Sequence, residues 1–188
     1  MRCAVFLDRD GVINVDRGYV HRWEDFEFVP GVLEAATGLY AAGWALVVVT
    51  NQSGIARGLY TEAAYQALTQ KMADAFRERG APLAAVYHCP HHPQGCVAAL
   101  AVDCGCRKPA PGLLLRARDE LGLSLAESVM VGDKTSDLEA ARRAGVGRSF
   151  LVRAGQTDAV FRNAHGGEVF RDLASCAERL LAEAGQGR

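Results

Sequence analysis

The sequence predicts an α/β fold, a three-layer doubly wound parallel sheet with helices on both faces. Three observations predict it. Short apolar runs, nearly free of charge, alternate along the chain with longer segments whose apolar residues recur every three or four positions. The short runs are continuous stretches of Val, Ala, Leu and Phe instead of apolar-polar alternation, as in strands covered on both faces. Strand and helix also succeed one another singly, which right-handed crossovers turn into one parallel sheet.

The strands are expected at 2–7, 45–50, 83–88, 128–131 and 149–152. Between them helices are expected at 31–42, 61–79, 111–121 and 135–144, with a last one at 172–183. Thr61 opens the second of these as a capping residue, and Gly80 and Gly145 follow helix ends. Segments 11–30 and 89–108 are long for strand-helix connections, and long loops on such scaffolds often carry function. In a doubly wound sheet ligands bind beyond the carboxyl ends of the strands, so both loops are expected to overhang that edge. No repeat or linker interrupts the pattern, only 186–188 reads as a frayed tail, and a single domain over 1–188 is expected.

Composition narrows the functional classes. Lys and Arg number 21 against 22 Asp and Glu in 188 residues, so no strong field favours nucleic acid or an anionic membrane. No apolar run approaches the roughly 20 residues of a membrane span, and the chain opens on a strand-like run without a charged leader. A cytoplasmic protein is expected, and a monomer. Of six cysteines, Cys89, Cys96, Cys104 and Cys106 crowd one stretch, a distribution suited to metal and not to a disulfide framework.

The strand ends carry the chemistry. The first strand runs into Asp8-Arg9-Asp10-Gly11, placing two carboxylates where the chain leaves the sheet; a hard cation such as Mg²⁺ relieves their repulsion. The second ends in Thr50-Asn51-Gln52-Ser53-Gly54, a turn able to offer donors to phosphate oxygens. Arg107-Lys108-Pro109 precedes the helix at 111, and the fourth strand ends in Gly132-Asp133-Lys134 with Asp137 four residues on, where a carboxylate also suits a helix start. Taken singly each is an ordinary polar turn. Their order along successive strands, nucleophile, hydroxyl, ammonium, metal acid, is what accident does not explain.

These residues together resemble the haloacid dehalogenase superfamily: Asp8-Arg9-Asp10-Gly11 matches its first motif, Thr50 the second, Lys108 the third, and Gly132-Asp133 with Asp137 the fourth. The resemblance covers nearly the whole chain and implies a phosphatase with Asp8 as nucleophile and Asp10 as acid and then base. It implies Mg²⁺ held by Asp8, Asp10 and Asp133, with Lys134 contributing through its backbone, while Thr50 and Lys108 stabilise the transferring group. Asp at the second carboxylate position favours phosphatases over dehalogenases, because an alcohol leaving group needs a proton. Phosphomutases of the superfamily share that Asp, and an inactive binding module is the contrasting class.

Cys89-Pro90-His91 and Cys104-Gly105-Cys106 give two close ligand pairs about a dozen residues apart, suited to a closed Cys₃His zinc site that orders the loop at about 89–106. His88, His92 and Cys96 are nearby rivals as ligands. Free thiols or a Cys104–Cys106 redox pair are the other readings. This loop resembles that of an essentially capless branch of the superfamily that hydrolyses the 7-phosphate of heptose bisphosphates on the way to nucleotide-activated heptose for lipopolysaccharide; histidinol-phosphate phosphatases share the pattern. The resemblance implies a phosphorylated sugar substrate touched by Asp8, Arg9, Asp10, Asp16, Arg17, Gly18, Tyr19, Thr50, Asn51, Gln52, Ser53, Lys108 and Lys134, with Arg107 recognising the far phosphate.

Overall fold

The computed structural model describes residues 2–153, 161–162 and 168–186. Seven strands form one sheet in the order β3-β2-β1-β4-β5-β7-β6. They are β1 Ala4–Leu7, β2 Ala45–Asn51, β3 Ala85–Cys89, β4 Val129–Gly132, β5 Arg148–Val152, β6 Phe161–Arg162 and β7 Glu168–Phe170. All pair in parallel except β6, which runs antiparallel to β7. The helices are α1 Val32–Ala41, α2 Glu62–Glu78, α3 Gly112–Leu121, α4 Thr135–Ala144 and α5 Leu173–Gln186.

The central strands are buried on both faces, and their side chains divide by the two-residue period of a strand. Val5, Leu7, Leu46 and Val48 point to one side, against Leu39 of α1, Met72 and Phe76 of α2, and Cys176 and Leu180 of α5. Ala4, Phe6, Val47 and Val49 point to the other, against Leu113, Leu114 and Ala117 of α3 and Ala140 of α4. Thr61 caps α2 as its sequence position predicts, accepting the Ala64 N–H at 3.1 Å.

Two strands were not predicted. β7 has three residues and β6 two, too few for a periodic signal; β7 takes its conformation from the ladder that Phe150, Leu151 and Val152 of β5 offer it. Ends also move by one to three residues. Arg2 makes only an isolated bridge to Leu123, so β1 begins at Ala4, and Gln186 belongs to α5 and not to a tail. Residues 187–188 of the expected tail lie outside the described residues.

The topology puts a site at one place. Leu7 pairs with Val48 on one side and Val131 on the other, so beyond the end of β1 the chain continues in β4 to Gly132 and in β2 to Asn51, whose ends flank Asp8. The chain leaves β1 towards β2 and β3, then returns to the far side of β1 with β4, and the crevice at this reversal lies beside β1. The two long connections overhang it. The first contains a short 3₁₀ turn at Trp23–Asp25 and is anchored by Trp23, Phe26 and Phe28, the last reaching the Phe76 ring at 6.2 Å. The second, after β3, is tied by backbone bonds to the loop after β2: Gln52 N–H to Cys89 O at 2.8 Å, Ala56 N–H to Pro90 O at 3.2 Å, and Val97 N–H to Ala56 O at 2.9 Å. Among the described residues, no insertion forms a separate cap, and no helix is long and apolar enough to cross a membrane.

Candidate active site

Asp8 continues β1 by one residue, its N–H bonded to Val131 O at 3.0 Å, so the carboxylate emerges between β1 and β4. Three N–H groups, of Val12, Ile13 and Asn14, then converge on Arg9 O and close a tight loop. Gly11 in that loop has φ of +87°, and a Cβ there would lie 2.5 Å from Asp133 Oδ2. Only glycine lets the loop pass this close to the β4 carboxylate.

Lys108 is buried with its ammonium 3.0 Å from Asp8 Oδ1, 2.6 Å from Asp137 Oδ1 and 2.8 Å from Val49 O. All three of its N–H donors are therefore used. Burial alone lowers the Lys108 pKa, but the Asp8 and Asp137 carboxylates outweigh it and the ammonium is held. Asn51 clamps the same residue from the end of β2, accepting from Lys108 N–H at 3.1 Å and donating to Lys108 O at 3.0 Å. Asp137, at the third position of α4, also accepts the Lys134 N–H at 3.0 Å, so it serves both as helix cap and as partner of Lys108.

Asp8, Asp133 and Asp137 bring carboxylate oxygens within 4.8 Å of one another. Burial, then the neighbouring Asp8, raise the Asp133 carboxyl to about 7, and burial also raises that of Asp8. Asp133 Oδ1 is buried without a hydrogen-bond partner. Crowded carboxylates with an orphaned oxygen and a single buried ammonium fit a hard divalent cation. The second group, Cys89, His91, Cys104 and Cys106, places its Sγ and Nδ1 atoms 3.1 to 3.7 Å apart along the five contacts that link them. A tetrahedral zinc ion sets such atoms about 3.6 to 3.8 Å apart, so the set fits zinc with little movement. The rivals are placed elsewhere: His88 pairs with Glu62 and lies on the Tyr65 ring, His92 faces Arg57 at 3.0 Å, and Cys96 is exposed.

Above these groups opens a cleft of about 480 Å³. Ten of the residues singled out in the sequence line it: Asp10, Asp16, Gly18, Tyr19, Asn51, Gln52, Ser53, Arg107, Lys108 and Lys134. Lys134 bridges Asp133 and Asp16 at 3.4 Å each, and Arg107 makes one bond, at 3.4 Å, to His91 O in the metal loop. Thr50 is buried beside the cleft, its Oγ1 accepting from Gln52 Nε2 at 2.9 Å, which leaves its own hydroxyl hydrogen to donate. Two expected substrate contacts lie off the cleft lining. The Arg9 side chain is buried beneath Asp10, bonded to its carboxylate and to Val20 O at 2.6 Å, and Arg17 pairs with Glu27 outside the cleft lining. Charge alone could not tell an arginine turned inward from one facing ligand. Asn14, which donates to Asp10 at 3.1 Å, and Tyr60 and Ser136, which line the cleft, were not anticipated. Asn14 had a faint signal, four residues past Asp10 at the close of its loop; Tyr60 had none.

A buried carboxylate at a strand end, a second carboxylate two residues on, a buried ammonium and an acidic pocket fit for a metal are the arrangement of a hydrolase of the haloacid dehalogenase type, and residues 105–176 match the HAD-hydrolase-like family. The chain is 47% identical over 179 residues to D-glycero-beta-D-manno-heptose-1,7-bisphosphate 7-phosphatase of Yersinia pestis, covering 95% of each chain. It is 55% identical over 153 residues to the same enzyme of Escherichia coli K12, covering 81% of this chain and 80% of that one. The solved structure of D,D-heptose 1,7-bisphosphate phosphatase from B. bronchiseptica, complexed with magnesium and phosphate, superposes with a TM-score of 0.81 at 36% identity, over 97% of this chain and 99% of the other. The chain belongs to this family of heptose bisphosphate phosphatases.

Proposed function

We propose that this chain hydrolyses the 7-phosphate of D-glycero-β-D-manno-heptose 1,7-bisphosphate through a phosphoryl group carried on Asp8. The observation that carries the reading is the buried cluster of Asp8, Lys108 and Asp137 beside the orphaned oxygen of Asp133, beneath a cleft lined by Asp10 and Arg107. The Asp8 carboxylate attacks phosphorus, and the departing sugar oxygen takes a proton from Asp10. Asp10 then removes a proton from the water that attacks the phosphorus of the acyl phosphate, and Asp8 is regenerated. The free Thr50 hydroxyl donates to one equatorial oxygen while charge gathers there, and Lys108 turns to another the N–H it gives Asp8 at rest.

Asp8 and Asp133 through their carboxylates, and Asp10 and Lys134 through their backbone, would hold Mg²⁺, which supplies positive charge between nucleophile and phosphate. Zinc held by Cys89, His91, Cys104 and Cys106 has no open position for water and serves to order the loop that carries Arg107. Arg107 has donors to spare for the 1-phosphate, and Asp16, Gly18, Tyr19, Asn51, Gln52 and Ser53 line the way for the sugar. We also propose a single-domain monomer acting in the cytoplasm; six free cysteines support a reducing compartment, and light scattering tests the monomer. The decisive experiment measures phosphate release, with Mg²⁺, from the heptose bisphosphate, histidinol phosphate and common sugar monophosphates. The bisphosphate should have the highest kcat/KM and keep its 1-phosphate. Faster hydrolysis of histidinol phosphate would overturn the assignment.

A further inference from the structure

Asp10 lies in a cradle of donors. Arg9 Nη2 reaches both carboxylate oxygens, at 2.9 and 3.0 Å; Asn14 Nδ2 donates to Oδ1 and Gln52 Nε2 to Oδ2, each at 3.1 Å. The same Gln52 nitrogen donates to Thr50 Oγ1 at 2.9 Å. One side-chain amide thus spends both hydrogens on two groups of the reaction, the proton donor and the hydroxyl that holds the phosphoryl group.

That arrangement exists for one orientation of the Gln52 amide only. Flipped by half a turn, its oxygen would face the Asp10 carboxylate, that bond would be lost, and Thr50 would have to give its own hydroxyl hydrogen to the amide. The two ends of an amide have nearly the same shape, so packing cannot choose between them and a hydrogen bond must. The Asp10 carboxylate, an acceptor only, draws the nitrogen end, and Tyr60 anchors the oxygen end, its hydroxyl donating to Gln52 Oε1 at 2.6 Å. Burial pushes the Tyr60 phenol well above its ordinary pKa, so the hydroxyl keeps its proton. The ring is itself fixed, stacked on His21 at 4.8 Å and 8° and packed with Ile55 and Tyr65.

We infer that Tyr60 is a positioning residue which, through Gln52, aims Asp10 at the leaving oxygen. The inference rests on the reading of Asp10 as the acid. In the first step the Asp8 oxygen bonds to phosphorus, the bond from phosphorus to the ester oxygen breaks, and the electron pair left on that oxygen takes the Asp10 proton. A misaimed Asp10 harms this step in proportion to how much the leaving group needs the proton.

The test compares kcat/KM, which reports this step, for an alkyl phosphate (the heptose bisphosphate) and for p-nitrophenyl phosphate, whose phenolate departs without a proton. Tyr60→Phe keeps the ring and should lower the alkyl value about tenfold or more, and the aryl value less than about threefold. Gln52→Glu, an isosteric change that turns an oxygen towards Asp10, should show the same imbalance by an independent route. The double variant Tyr60→Phe, Gln52→Ala should be no worse than Gln52→Ala alone, because the two act in series. Equal losses on both esters, or additive losses in the double variant, would overturn the inference. A wild-type protein inert towards both esters would instead overturn the proposed function beneath it.

Discussion

Arg107 and Lys108 adjoin in the chain but have opposite surroundings. Lys108 has every donor engaged in a buried cluster, whereas Arg107 makes one long bond at the cleft wall. Removing Lys108 strands two buried carboxylates, so Lys108→Ala should abolish turnover of any phosphate ester and destabilise the metal-free fold by about 3 kcal/mol or more, read by denaturant titration. Arg107→Ala should leave stability nearly unchanged and lower kcat/KM for the bisphosphate far more than for a monophosphate ester, by about 2 kcal/mol. Equal losses on the two substrates would remove Arg107 from recognition of the second phosphate. Asp133 makes a prediction in pH. Its folded pKa, near 7, is raised above its ordinary value, so its contribution to the stability of the metal-free protein is full in acid and lost as pH rises through 7. Mg²⁺ favours the ionised form, and the rise in melting temperature on adding Mg²⁺ should be larger at pH 8 than at pH 5.5. The difference should vanish in Asp133→Asn. Asp8, Asp10, Thr50, Lys108 and Asp133 were legible as candidates because each closes a strand, follows one or leads into a helix at the same edge. The inward turn of Arg9 and the place of Tyr60 were not legible, because what they touch depends on how two loops fold back, which one-dimensional spacing does not encode.

At the scale of elements, the metal loop is held by Leu100, packed against Ile55, Tyr60 and Tyr65, by backbone bonds to the loop that follows β2, and by the convergence of Cys89, His91, Cys104 and Cys106. Purified protein should carry about one zinc per chain, retained when Mg²⁺ is chelated, and a Cys104→Ser, Cys106→Ser variant should lose it together with several degrees of melting temperature. Unchanged zinc content in that variant would show that other ligands hold the ion. Activity should also fall, since the first residue of the loop, Cys89, accepts the Gln52 N–H. Gly54 offers a sharper probe of the neighbouring loop. A Cβ there would lie 2.1 Å from the Tyr60 ring, so Gly54→Ala must displace that ring and should cost activity while zinc content stays at wild type. The central strands and their helices were legible from continuous apolar runs and three-four spacing. β6 and β7 were not, because strands of two and three residues owe their form to a neighbour and not to propensity.

Over the whole molecule, two apolar layers hold the sheet rigid while charge gathers at one edge. Phe150 of β5 is fully buried in the layer shared with α1 and α5, its ring 4.8 Å from that of Phe170 on the neighbouring β7, and Phe150→Ala should cost about 3 to 5 kcal/mol in denaturant titration with the metal sites intact. The edge behaves differently. Lys134 joins loops 118 residues apart in sequence through its contact with Asp16, and both side chains are substantially exposed, at 55% and 36%. Such a pair adds little to stability, about 1 kcal/mol at most, and a bound anion competes with Asp16 for the same ammonium. The doorway of the cleft is therefore a latch of charge in water, and mobile ions reach it as readily as substrate does. Moderate salt should raise KM while the melting temperature scarcely moves, so that ionic strength tunes capture without touching the fold.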